Sequence, residues 1–317
     1  MSNQYSVTSE TREGVEVYTL GEAERARAEI APALGNNCFA FRTREHVLEP
    51  VSFSDFRQKP TSYGIPILFP FPNRIREGQF SFQGERYTVN PPRHGFVRDK
   101  AWGVSEHGAS AEAGAWITSR FDAAAYPSEI LGQFPFPFQL EVTYRLKNTR
   151  LEIETSAENA GERDMPAGYG IHPYFRRPAS GTLTVPARHR LELADSLPTG
   201  RLLDATNEYD LRRAADLKTL NLDDIYTSIA TDGDSGLARC VIDDRENELQ
   251  TVVEFPREQF PYVVVYTPPA PRPAICVEPN TCPTDAFNLQ ARGIASNLLT
   301  LAPGEKVKFN ISIYTRP

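Results

Sequence analysis

Cysteine is scarce and unpatterned. Cys38, Cys240, Cys276 and Cys282 are the four in 317 residues, and no two form a Cys-x-x-Cys pair. That scatter argues against a disulfide framework or a zinc knuckle and predicts reduced thiols. No apolar run approaches the ~20 residues needed to cross a bilayer. Residues 1–29 are polar, without the apolar stretch or cleavage pattern of a secretory leader, so a cytoplasmic location is expected. A basic surplus is also missing: the net charge is −7 and the sequence pI about 5.4. This weighs against nucleic acid and anionic membrane surfaces as partners, although a local basic pocket stays open. There is no phosphate-binding glycine loop, no metal-spaced His/Asp/Glu cluster and no nucleophile-elbow serine. Helical periodicity is scarce too, confined to possible short helices over 126–131 and 211–220.

What the chain does have is period-two alternation. Phe136, Phe138, Leu140, Val142, Tyr144 and Leu146 alternate up to a polar turn at Asn148, and Leu151, Ile153, Thr155 and Ala157 resume after it. Such a pattern predicts a hairpin with one buried face. Phe80 and Phe82 before Gln83-Gly84, with Tyr87 and Val89 after it, predict another. Ala115 to Phe121 and Val307 to Ile313 alternate as strands, while 263–266 and 274–277 are short apolar runs suited to burial on both faces. The proline-rich segment 267–273 between those runs must be a loop, since proline cannot donate to a central ladder. The most polar and loop-like stretch is 188–224. The fold class expected is all-β: a large antiparallel β-sandwich with few short helices. Residues 1–317 are taken as one domain, a split near residue 160 being the lesser option.

Three distant clusters carry chemistry beside glycine or proline, which suggests a site built on loops over a rigid scaffold. His172 lies in Ala167-Gly-Tyr-Gly-Ile-His-Pro-Tyr-Phe175. Its ordinary pKa of ~6.5 suits proton transfer, although a hydrogen-bonded structural histidine reads equally well. His94 sits between Arg93 and Gly95, with Arg98 close by, and fits a surface turn as well as a ligand role. Arg74 follows an apolar, proline-rich run and offers a fixed donor fork or a clamp for its own loop. Glu278 leaves an apolar strand just before Pro279, and a carboxylate there is costly unless paired or functional. Asp223-Asp224 precede a strand; turn chemistry accounts for one of them. Thr284 and Asp285 read as caps for a short turn. His46, His107 and His189 read as surface, and Trp102 and Trp116 as core.

These residues resemble the aldose 1-epimerase (galactose mutarotase-like) family. The matching stretches are Gly64-Ile-Pro-Ile-Leu-Phe-Pro70, Asn73-Arg-Ile75, His94-Gly-Phe-Val-Arg98 with Trp102, Gly170-Ile-His-Pro-Tyr-Phe175, Leu222-Asp-Asp224 and the run from Glu278 to Asn288. The resemblance implies a β-supersandwich and interconversion of the α and β anomers of an aldose. It places the catalytic base on Glu278 and the general acid on His172, on opposite sides of the acetal carbon. Sugar-binding partners fall on Arg74, His94 and Asp224. No metal or cofactor is implied, and a monomer or homodimer is expected. The turn His94-Gly-Phe-Val-Arg98 is closer to the hexose-6-phosphate 1-epimerase branch, where Arg98, with Arg76 or Arg93, would hold a phosphate. Asn73-Arg74-Ile75 looks more like the free-sugar members, and a free aldose is placed first. A non-catalytic carbohydrate-binding protein of the same fold is the competing class.

Overall fold

The computed structural model describes residues 4–317. The alternating segments pair as expected: Phe138–Lys147 with Arg150–Asn159, and Gln79–Phe82 with Glu85–Thr88. On Phe138–Lys147 the buried residues are those at every second position, so one face is committed to the interior. This hairpin lies inside a nine-stranded antiparallel sheet. Its order is Ala215–Asp216, Gly181–Thr184, Leu237–Asp244, Leu249–Pro256, Lys306–Arg316, Arg150–Asn159, Phe138–Lys147, Gly114–Asp122 and Gly103–Ser110. A second large sheet runs Leu197–Asp204, Ala187–Ala194, Asp223–Ile229, Tyr262–Tyr266, Ala274–Asn280, Gly170–Ile171 and Ile67–Leu68, with Tyr174–Arg176 also on Ala274–Asn280. Residues from the two sheets share one apolar core, which includes Tyr144, Leu151 and Ile313 of the first and Ile171, Val265 and Val277 of the second.

Alternation in the second sheet decides what faces that core. Val263, Val265, Ile275 and Val277 point into it, whereas Val264, Tyr266, Cys276 and Glu278 occupy the opposite face. Every residue of Ala274–Asn280 is buried, so its outer face is covered as well. The candidate site described below lies on that outer face.

Two expectations need correction, and two features went unanticipated. The polar N-terminal segment, for which no structure was expected, forms a four-stranded meander of Tyr5–Arg12, Val15–Glu22, Ala26–Ala31 and Asn37–Arg42, its charged residues exposed or half-buried except Glu22, which is buried. The stretch 188–224 holds the strands Ala187–Ala194 and Leu197–Asp204 at the edge of the second sheet, where polar side chains are tolerated on an exposed face. A helix over 211–220 does not form. Two 3₁₀ turns, Leu211–Arg213 and Leu217–Thr219, flank the short strand Ala215–Asp216, and Ala214 with φ 57° breaks the run. Finally, α-helices occur at Phe53–Gln58 and Ala286–Ala291, six residues each and too short to show a period. The turn Pro127–Leu131 is helical, as expected. Among the described residues no helix is long and apolar enough to cross a membrane.

Charge on the outer face of the nine-stranded sheet is organised around Glu254. It accepts from Arg150 Nη1 at 2.6 Å, from Arg239 Nε at 2.5 Å and from the Tyr314 hydroxyl at 3.2 Å. Burial works to raise this carboxyl, but the hydrogen bonds from the two guanidiniums outweigh it and hold the group below the usual range. A depressed folded-state pKa contributes stability that is present above the unfolded pKa and lost as pH falls through the folded one. Glu254→Gln should therefore destabilise the fold at pH 7 by about 1–3 kcal/mol. The difference between the two proteins in thermal or urea unfolding should shrink as pH falls below the ordinary carboxylate range.

Candidate functional site

Strand register brings the distant clusters together. Gly170 pairs with Asn280 and Tyr174 with Cys276, so His172, midway between them, stands opposite Glu278. Cross-strand neighbours on one face meet directly. The His172 Nε2 is 3.3 Å from Glu278 Oε1. Gly170 permits this approach, because a Cβ there would sit 1.8 Å from Asn280 Oδ1. Glu278 does not leave the strand as expected; it lies within it, two residues before the end at Asn280.

A second loop closes the site. His94 accepts the Asn73 backbone N–H on Nδ1 at 3.2 Å, which leaves Nε2 to carry the proton in the neutral ring. Asn73 and His94 both have positive φ, 57° and 64°, tolerated better by Asn and His than by most residues. Gly95 follows at φ 67° with Phe69 so close that a Cβ would lie 1.9 Å from its carbonyl oxygen. Trp102 Nε1 donates to the Val97 carbonyl at 3.2 Å and fixes the far end of the turn. The ring planes of His94 and His172 meet edge to face with centroids 5.3 Å apart.

The result is a cleft of about 270 Å³ lined by Arg74, Arg93, His94 and Arg98 together with His172, Tyr174, Asp223, Tyr266 and Glu278. Of the residues expected to form a site, Arg74, His94, Arg98, His172 and Glu278 converge here. Asp224 does not. On Asp223–Ile229 consecutive side chains point to opposite faces, and Asp224 is turned to Arg190, whose Nη1 donates to it at 3.1 Å. The carboxylate this strand gives the cleft is that of Asp223. Arg76 is also elsewhere, 3.4 Å from Asp285, so the guanidinium that joins Arg98 is Arg93. Asp285 serves its turn as expected, accepting from the Arg76 N–H at 2.9 Å and from Asn288 Nδ2 at 2.7 Å.

Burial sets the electrostatics. It raises the Glu278 carboxyl well above its usual range, with the negative charge of Asp223 adding to the effect. It lowers His172 to about 3, helped by Arg98, Arg272 and Arg93. His94 is likewise driven well down by burial and then by His172 and the nearby arginines. Both members of the central pair thus favour their neutral forms. Burial also depresses Arg74 and Arg98, which nonetheless remain charged. Among the described residues no carboxylate lies within ion-pair distance of Arg74, Arg93 or Arg98.

The geometry also differs from the expected one in the placement of the pair. His172 and Glu278 do not stand on opposite sides of a sugar-sized gap; they are side by side on the same wall. Further side chains came into view only in the fold. Tyr174 stacks on His172 at 4.6 Å with 16° between planes, and Arg272 lies 4.3 Å over the other face of Tyr174. Arg272 is clamped by Glu49, Nε to Oε1 at 2.9 Å, and by the Ser62 carbonyl. Tyr266 and Cys276 were legible in principle, since positions 264, 266, 276 and 278 share a face once Glu278 is assigned one. Arg272, inside a proline loop, gave no signal. The donor atoms of His172, Cys276 and Glu278 all lie within 4.8 Å of one another, a group of metal-capable side chains that sequence spacing did not reveal.

Comparison with known proteins agrees with this architecture. The chain is 26% identical over 269 residues to the Escherichia coli K12 protein YihR, covering 80% of each chain. A galactose mutarotase-like protein from Clostridium acetobutylicum superposes with TM-score 0.88 at 23% identity, covering 99% of both chains. Galactose 1-epimerase from Lactobacillus acidophilus gives TM-score 0.76 at 17% identity, again over 99% of both. At these identities the solved structures establish the galactose mutarotase-like fold. The profile of the aldose 1-epimerase family matches residues 17–314, and the chain belongs to that family.

Proposed function

We propose that this protein interconverts the α and β anomers of an aldose by acid–base opening and closure of the pyranose ring. The observation that carries the reading is the His172–Glu278 contact of 3.3 Å on the wall of an open cleft. The two oxygens that exchange protons in mutarotation, O1 and the ring oxygen O5, are both bonded to C1. They are therefore neighbours, and adjacent acid and base groups serve them better than opposed ones.

One proton shared by the pair is sufficient. The group without it takes the proton from the O1 hydroxyl, and the C1–O1 bond becomes a carbonyl. The C1–O5 electrons move to O5, which receives the proton from the other group. Rotation about C1–C2 presents the second carbonyl face to the O5 hydroxyl. Ring closure then reverses both transfers, and each group ends as it began. The opposed pKa shifts suit this exchange, because neither group holds its charge firmly. His94, with Nε2–H free of the Asn73 contact, and Arg74 are donors for sugar hydroxyls.

A specific observation favours a second reading, a sugar bearing an anionic group such as a hexose 6-phosphate. Arg74, Arg93 and Arg98 line the cleft without a carboxylate partner, and guanidinium forks suit phosphate.

Glu278→Gln and His172→Asn should each lower kcat by about 10²–10⁴-fold while sugar affinity stays within about tenfold. NMR anomer exchange and equilibrium binding check this. Wild-type protein that binds sugar without speeding exchange over buffer would instead be a carbohydrate-binding protein. In a panel of glucose, galactose and glucose 6-phosphate, the free-aldose reading predicts faster exchange of an unphosphorylated sugar. A kcat/KM advantage of about tenfold or more for the ester, lost in Arg98→Gln, would establish the second reading.

A further inference from the structure

The strand that supplies Glu278 also supplies Cys276, two residues earlier and on the same face. Tyr174 pairs with Cys276, so the thiol is the diagonal neighbour of His172 across the ladder. One imidazole, one thiol and one carboxyl therefore meet, all three buried. No side of the triangle formed by their donor atoms exceeds 4.8 Å. Some point must then lie no farther than 4.8/√3, about 2.8 Å, from all three donors. Zinc bonds to nitrogen, oxygen and sulfur are about 2.0–2.3 Å long, so an inward shift of well under 1 Å per donor closes the shell. The Nε2–Oε1 separation of 3.3 Å already matches one edge of such a shell.

We infer a three-ligand site for a thiophilic divalent cation at this wall, held by His172 and Glu278, which line the cleft, and by Cys276, buried just behind Tyr174 and Tyr266, with its fourth position open to the cleft. Three protein ligands and one open position is an arrangement zinc adopts in enzymes. The donor set also selects the ion. A sulfur, a nitrogen and one carboxylate suit Zn²⁺ or Co²⁺, whereas Mg²⁺ and Ca²⁺ require shells of oxygen. Surrounding charge sharpens the choice. Arg93, Arg98 and Arg272 face His172 and oppose a cation, with Arg272 offset by Glu49; Asp223 and Glu278 favour one. A hard ion held by charge alone has little to gain here, so the sulfur bond must decide. Because the cation would use His172 and Glu278, it and the sugar exclude one another. That exclusion rests on the anomer-exchange reading; the metal site itself does not.

The test uses the full chain with Zn²⁺ and Co²⁺ as probes. Zn²⁺ affinity is measured by competition with a chromophoric chelator, and Co²⁺ is read by its thiolate charge-transfer absorption. Wild-type protein should bind one Zn²⁺ and give the thiolate band, while Mg²⁺ displaces neither. Cys276→Ala should lose at least about tenfold in Zn²⁺ affinity and lose the band. Cys276→Ser serves if the alanine variant fails to fold by circular dichroism. Equal Zn²⁺ affinity in wild type and variant would assign the ion to exposed histidines such as His46 and His107 and overturn the site, as would a cobalt spectrum without the band. Saturating glucose or glucose 6-phosphate should weaken Zn²⁺ binding. An intact band with affinity unmoved by a sugar that binds would overturn the exclusion. A sugar that fails to bind at all would count against the function proposed above, with the thiolate band still reporting on the metal site.

Discussion

The functional geometry depends on one antiparallel ladder, in which Gly170 faces Asn280 and Tyr174 faces Cys276. Everything in the cleft inherits its position from that register. A slip of one residue would turn Glu278 into the core and put Val277 at the surface beside His172. The register is protected on both sides. Val277, Ile275 and Ile171 are committed to the apolar core, and Gly170 admits the Asn280 side chain where any larger residue would collide. The same backbone that closes the sandwich thus sets a contact between two groups more than a hundred positions apart in the chain.

Around that contact the protein has built layers that differ in kind. The His172 ring is not oriented by a hydrogen bond on Nδ1, which is buried and has no partner. Packing orients it: Tyr174 lies against one face, and His94 and Tyr266 meet it edge-on at 5.3 and 6.2 Å. Arg272 holds Tyr174 from behind, and Glu49 holds Arg272. His94, in contrast, is fixed by its loop through the Asn73 N–H, and that loop is fixed by the close approach of Gly95 to Phe69. One imidazole is positioned by aromatic stacking and the other by backbone, which leaves an Nε2 atom of each on the cleft side available for chemistry. Burial then does the electrostatic work, pushing both Glu278 and His172 toward their neutral forms.

Much of this was legible in the sequence because it is written in periods of two. The long alternating runs 136–146 and 307–313 gave the sandwich, and glycine and proline beside His94, His172 and Glu278 marked the convergent segments. The N-terminal meander was not legible, because a strand with one exposed face can be as polar as a loop. Asp224 was chosen over Asp223 without using the pleat; Tyr226, buried in the core, puts Asp224 on the inward side and Asp223 on the cleft side. The metal-capable triad was hidden for a different reason. Its spacing is a property of two paired strands, and local motif spacing cannot report it.

The most direct measurement is a crystal structure of the protein soaked with an aldose, read at the reducing end. O1 and O5 should lie within hydrogen-bonding distance of Glu278 and His172, with the remaining hydroxyls, or an anionic substituent, toward Arg74, Arg93 and Arg98. A sugar seated in the cleft with C1 turned away from Glu278 and His172, or bound at another place altogether, would contradict the role given to this pair.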